Sequence, residues 1–177
     1  QAYALARRID DFGVEVGGEV RARFDRMIAR KNKVVSRLRA GVNFLLKKNK
    51  VNVVVGVGRL LGPGQMEVDS SDGPIEVRAR DIILATGSRP VVFPSFGYNG
   101  RSVITSDEAL DFEDVPETLL VVGGGVIGCE LAFIFAGLGS EVTVVDIMPT
   151  VLPMEDPDTA AAISSSLKKH GVAVKCG

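Results

Sequence analysis

LLVVGGGVIGCELAFIFAGLGSEVTVVD, residues 119–146, decides how the rest of the chain is read. Its first four residues, Leu119–Val122, are apolar and read as a buried strand. Gly123, Gly124, Gly125, Val126, Ile127 and Gly128 follow and fit G-x-G-x-x-G. Residues 126–138 read as a helix, and 141–146 as a second strand that ends on an acid, Asp146. A strand, a glycine turn, a helix and an acid closing the next strand form the context in which this motif holds a dinucleotide. Gly123 permits the tight turn, Gly125 lets backbone approach a pyrophosphate, and Gly128 lets the helix pack on the strand. The phosphate then meets the positive end of the helix. A glycine turn demanded by packing alone is the competing explanation.

Asp146 bears on which dinucleotide is expected. A carboxylate there accepts hydrogen bonds from ribose hydroxyls and repels a 2′-phosphate. The residues after it are Ile147, Met148, Pro149 and Thr150, with no Arg to receive such a phosphate, so NAD(H) is expected. Glu130 lies two residues past Gly128, where the helix dipole is sufficient reason for an acid, and a role beside the nicotinamide is the alternative. Cys129 stands at a helix start, where a thiol pKa can fall, yet with no second cysteine nearby it reads as a small core residue. His170 reads as a charge at a helix C-terminus.

Outward from this motif the pattern continues. Asp156-Pro157 is expected to start a helix running to about His170, and VAVK (172–175) to be a third strand. Such βαβαβ alternation predicts a parallel, doubly wound sheet. On the N-terminal side, apolar residues from Val20 to Leu46 recur with helical period, opposite a basic face. That stripe is expected to face a core, with Gly41 marking a weak point or a close contact. VNVVVGV (51–57), QMEV (65–68), IEVRA (75–79) and DIILA (81–85) read as strands of an antiparallel meander. Residues 86–117 read as a connection between domains. Both ends of the chain read as cut, since it opens on Gln1 rather than Met and closes at Gly177 directly after a third strand that leaves a sheet unfinished.

The composition excludes several classes. Among 177 residues the formal net charge is -1, so no global field favours nucleic acid or an anionic membrane. Residues 21–50 hold eleven of the 21 Lys and Arg, but only Phe24 and Phe44 fall among them, too few aromatics to stack on successive bases. A solvated basic face is the expectation. Cys129 and Cys176 form neither a disulfide framework nor a zinc spacing. The N-terminus lacks a signal peptide's apolar core and no run reaches membrane-spanning length, so a cytoplasmic protein is expected.

Four stretches carry a family resemblance. IILATGSRP (82–90), followed at a similar spacing by GGGVIGCELA (123–132), resembles the flavin and pyridine-nucleotide signatures of the pyridine nucleotide-disulfide oxidoreductases. RKNKVVSRLRAGVNFLLKKNKV (30–51) and KNKVNVVVGVGRLLGPG (48–64) are similar to dihydrolipoamide dehydrogenases in particular. The resemblance implies an α/β, FAD- and NAD(P)-binding Rossmann-like fold that is incomplete here. Residues 1–117 would be a partial FAD-binding domain (long helix, meander, connection), and 118–177 the N-terminal part of an NAD-binding domain.

Carried over by position, the resemblance implies FAD contacts at Gly58, Thr86, Gly87 and Ser88. It implies NAD contacts at Gly123, Gly124, Gly125, Val126, Ile127, Gly128, Cys129, Glu130 and Asp146. Asp146 departs from the Glu usual in dihydrolipoamide dehydrogenases, and either acid suits a ribose. The implied parent activity passes electrons from dihydrolipoamide through a disulfide and FAD to NAD. The implied partners are a second subunit and components of a 2-oxoacid dehydrogenase or glycine cleavage complex. The family's CxxxxC pair is not in these residues, so no catalytic residue is assigned and the chain alone is expected to be inactive. Alternatives are mercuric reductase, glutathione reductase, soluble transhydrogenase or a non-catalytic nucleotide-binding module. Asp146 argues against the NADP-preferring reductases among them.

Overall fold

The computed structural model describes residues 2–177, which divide into two compact units: Arg30–Arg89, and the remaining N-terminal residues to Ala29 together with Pro90–Gly177. A short helix α1 (Ala2–Ala6) precedes the long helix α2 (Phe24–Lys48), whose first turns belong to the latter unit. The helix begins at Phe24 rather than Val20, with Asp25 in its first turn and Lys47 and Lys48 in its last, which suits the helix dipole. It runs unbroken through Gly41, where an added Cβ would meet open space, so no close contact explains that glycine.

In the unit 30–89, β1 (Val57–Gly62), β2 (Gln65–Ser70) and β3 (Gly73–Arg78) form the antiparallel sheet β1-β2-β3. Gly58 pairs with Val68, and Val68 in turn with Ile75. The Ser70 hydroxyl closes the second turn by donating to the Gly73 carbonyl at 2.6 Å. Two expected strands are missing. Val51–Gly56 and Asp81–Ala85 are not in strands, because a strand needs a neighbour to share its N–H and C=O groups and both β1 and β3 are edges here. Apart from half-buried Ile82, their apolar side chains stand in solvent, Val55 at 81% and Ile83 at 89% of full exposure. The apolar stripe of α2 fares similarly, since no residue of that helix is buried. Its periodicity predicts a core face, but packing requires an opposing surface as well.

The other unit holds a parallel sheet, β4 (Thr118–Val122), β5 (Glu141–Asp146) and β6 (Ala173–Cys176), in the order β4-β5-β6. Helix α4 (Val126–Leu138) crosses from β4 to β5, and α5 (Pro157–Lys169) from β5 to β6, as the βαβαβ pattern predicts. Pro157 occupies the first turn of α5, whereas the Asp156 side chain makes no capping bond. Cys129, Ala132 and Phe135 of α4 fall on one helical face and pack with Val142, Val144, Leu167 and Val172. Phe112 meets Phe135 edge to face, their ring centroids 5.6 Å apart. Gly139 closes α4 in a left-handed conformation (φ 109). Ser140 then donates its hydroxyl to the Pro116 carbonyl at 2.6 Å, tying the entry of β5 to that of β4.

The connection ahead of β4 is ordered by its own side chains. Glu108 accepts from both the N–H and the hydroxyl of Thr105, at 2.7 Å each, in a capping box that starts the short helix α3 (Ser106–Ala109). The Tyr98 hydroxyl donates to the other Glu108 oxygen at 2.7 Å. Asn99 Oδ1 accepts from the backbone N–H groups of Arg101, Ser102 and Val103. The N–H groups of Asn99 and Gly100 both donate to the Val103 carbonyl.

Candidate functional site

The glycine loop lies at the C-terminal ends of β4 and β5, where open parallel sheets place their ligands. Its three key glycines are glycines for three different reasons. Gly123 takes a φ of +112, which side chains rarely adopt, while its N–H donates to the Val145 carbonyl at 2.8 Å. At Gly128 an added Cβ would collide with the Gly123 carbonyl and reach Val121 Cγ1 at 3.2 Å, so the helix can approach the strand only without a side chain there. Gly125 differs from both. It is the N-cap of α4 with φ -72 and ψ -176, and a Cβ there would meet nothing within 4 Å.

The protein itself therefore gives no steric reason for glycine at 125. A phosphate against the first-turn N–H groups of α4 would occupy the space that a side chain there would fill. Val126 and Ile127, the first two helical residues, are exposed at this end.

Gly124 is held on both sides. Its N–H donates to Asp146 Oδ2 at 2.6 Å, and its carbonyl accepts from the Leu152 N–H at 2.8 Å. Asp146 Oδ1 accepts from the Met148 N–H at 2.8 Å. Each carboxylate oxygen thus has one backbone donor and retains a lone pair, so Asp146 can still accept from a ribose. Asp146 closes β5, as the sequence pattern predicts.

Other candidates fall into place less directly. Cys129 is buried and its thiol donates to the Gly124 carbonyl at 3.4 Å. Burial pushes its pKa up, with the neighbouring Cys176 and Asp146 charges acting in the same direction. The lowered pKa available to a thiol at a helix start is not realised, because the desolvated side chain points into the core. Glu130 is exposed on α4. His170 caps the end of α5, where its Nδ1 donates to the Ser166 carbonyl at 2.8 Å and its ring meets Phe133 edge-on at 5.3 Å.

The flavin candidates belong to the unit 30–89. Gly58 sits on β1, exposed, with Met66 of β2 as the neighbour a Cβ would touch at 3.3 Å. Thr86, Gly87 and Ser88 are exposed on a segment without regular structure, Gly87 with a φ of +75. Exposed backbone of this kind fits a group approached by main chain. Gly56 shows a tighter constraint that the sequence reading passed over, because a Cβ there would run into the Asp69 carbonyl. Val151 and Leu152, which pack on and bond to Gly124, carry no signal in the glycine pattern either.

The family model for pyridine nucleotide-disulphide oxidoreductases matches residues 6–177. A dihydrolipoyl dehydrogenase of Bacillus subtilis is 41% identical over 97% of this chain, and one of Zymomonas mobilis is 42% identical over 98%. The chain covers only 38% and 35% of those two proteins. Among solved structures, LpdA from Mycobacterium tuberculosis superposes with a TM-score of 0.86 at 28% identity, over 99% of this chain and 39% of its own. The HOCl-induced flavoprotein disulfide reductase RclA from Escherichia coli gives a TM-score of 0.74 at 31% identity, over 88% of this chain and 35% of its own. A match across nearly the whole chain means that this chain belongs to the pyridine nucleotide-disulphide oxidoreductase family.

Proposed function

We propose that the chain is the nucleotide-binding part of a dihydrolipoyl dehydrogenase-like flavoprotein, with residues 118–177 holding NAD(H) and residues 1–117 contributing to an FAD site. The open space beside Gly125, at the N-terminus of α4, carries this reading. Gly123, Gly124, Gly125, Val126, Ile127 and Gly128 would hold the pyrophosphate, and Asp146 the adenosine ribose. Glu130 would lie toward the nicotinamide, with Cys129 supporting the loop from beneath through Gly124. Gly58, Thr86, Gly87 and Ser88 would meet the flavin nucleotide. When bound, FAD and NAD supply the two-electron carriers that the residues themselves lack. The thiol exchange with dihydrolipoamide belongs to a CxxxxC pair outside these 177 residues, so the chain by itself would bind and orient rather than turn over.

The reading extends to what the family resemblance implies, a homodimeric parent enzyme serving a 2-oxoacid dehydrogenase or glycine cleavage complex in the cytoplasm. No helix among the described residues is long and apolar enough to cross a membrane. Calorimetric titration with NADH and NADPH tests the cofactor assignment. NADH is expected to bind at least about tenfold more tightly, a difference of roughly 1.4 kcal/mol. Equal affinity for the two would show that Asp146 does not read the ribose.

A further inference from the structure

Leu152 has a positive φ, +51, among residues with side chains an unusual state that it shares in the described structure with Lys50. Lys50 follows the end of α2, where a left-handed residue is a common way to stop a helix. Leu152 follows no helix, is only 8% exposed, and precedes Pro153, which normally drives its neighbour to extended backbone. Its conformation is held from both sides. The Leu152 N–H donates to the Gly124 carbonyl at 2.8 Å, and the Leu152 carbonyl accepts from the Glu155 N–H at 3.0 Å. The preceding Val151, fully buried, lies over Gly124, where an added Cβ would come within 3.0 Å of Val151 Cγ1.

We infer that Val151-Leu152 is a clamp on the phosphate-binding loop, and that Leu152 is a positioning residue for the dinucleotide that acts through Gly124. The inference rests on the NAD(H) reading above. Gly124 is gripped at its N–H by Asp146, at its carbonyl by Leu152 and across its α-carbon by Val151. With that peptide immobile, Gly125 and the first turn of α4 stay aimed at a pyrophosphate and do not reorganise when it arrives. The buried leucine side chain anchors the backbone in the left-handed state, and unfavourable backbone geometry of this sort persists only where surroundings over-determine it. Strain is thus placed one hydrogen bond away from the ligand.

The test compares Leu152→Ala with Leu152→Gly in the protein with all its segments present, reading NADH affinity and the exchange of the residue-152 amide proton. Alanine removes the anchor yet still resists positive φ, so NADH binding weakens by about tenfold and the amide exchanges faster. Glycine removes the anchor and the resistance together, so affinity stays within about threefold of the parent. Packing alone orders the two variants the other way, because alanine fills more of the vacated space. Should both truncations fail to fold, Leu152→Ile keeps the volume and, being β-branched, opposes the left-handed state, so it too weakens NADH. Parent-like binding by Leu152→Ala or Leu152→Ile overturns the clamp while leaving the NAD(H) reading intact. A parent protein that does not bind NADH at all overturns that reading, and the clamp falls with it.

Discussion

Residues 30–89 and the parallel-sheet region 118–177 each contain three paired strands, but only one of them has built a core. Of the buried apolar residues, Val68 alone lies in 30–89, while ten lie in 118–177. Both sheets are paired along their strands, save for a register shift between Leu60 and Gly62, so pairing is not what separates them. The difference is a second layer. In the parallel region α4 and α5 return over the sheet after β4 and β5 and cover its apolar face. In the meander the chain turns straight back on itself, and the apolar residues of β1 and of 51–56 and 81–85, half-buried Ile82 excepted, stay exposed. A strand satisfies its backbone with a neighbour in the plane, but its side chains only with a neighbour above it.

The largest expected effect tests that contrast at its extremes. Phe135, 2% exposed and in contact with Phe24 and Phe112, should cost about 3–5 kcal/mol when cut to alanine. Val55→Ala should stay within about 0.5 kcal/mol. Urea unfolding followed by circular dichroism measures both, since the chain has no Trp to report by fluorescence. Comparable losses at the two positions would mean that 51–56 has a packing partner, and the contrast would collapse.

Within the parallel region, two glycines of one loop should part company. Gly128→Ala forces a methyl group against the Gly123 carbonyl and should destabilise the fold by about 1–3 kcal/mol. Gly125→Ala enters open space, so melting should shift little, by under about 0.5 kcal/mol, while NADH affinity drops about tenfold. Retained affinity in Gly125→Ala would remove the phosphate from that side of the loop.

The smallest effect lies in the connection between the two regions' sequences. The Glu108 carboxyl is held down to about 2, from an ordinary 4.5, chiefly by the Thr105 hydroxyl and then by Tyr98. Its folded value is depressed, so its contribution is complete above the ordinary value and is lost as pH falls from about 4.5 toward about 2. Glu108→Gln should flatten that part of a melting-temperature profile. Identical acid slopes in the parent and the variant would leave the capping box without a role in acid stability.

The regions also differ in how far sequence alone discloses them. The bounds of α4 and β5, 126–138 and 141–146, are readable because the glycine turn starts the helix and Gly139 stops it. Local chemistry sets those limits. Thr105 and Glu108 have the S/T-x-x-E spacing of a capping box, so α3 was equally available to a reading that takes 86–117 only as a connection. By contrast, VNVVV and DIIL have strand composition but no strand, because pairing depends on residues far away in the chain. The grip of Val151 and Leu152 on Gly124 has no residue-type signature either, since leucine seldom takes a positive φ and nothing in LP announces it. Asp146 is legible as the acid that closes β5, whereas its bond to the Gly124 N–H required the fold.

The Asn99 loop carries a consequence for how the protein ages. Asparagine followed by glycine is the pair most prone to close on itself, the glycine nitrogen attacking the side-chain carbonyl carbon and expelling ammonia. Here the nucleophile is engaged, because the Gly100 N–H is committed to the Val103 carbonyl. The electrophile is immobilised too, its oxygen held by three backbone N–H groups and its Nδ2 donating to Ser102 Oγ at 2.9 Å. Cyclisation must wait until the loop opens. Isoaspartate accumulating at Asn99 would then record the fraction of its lifetime that this loop spends unfolded.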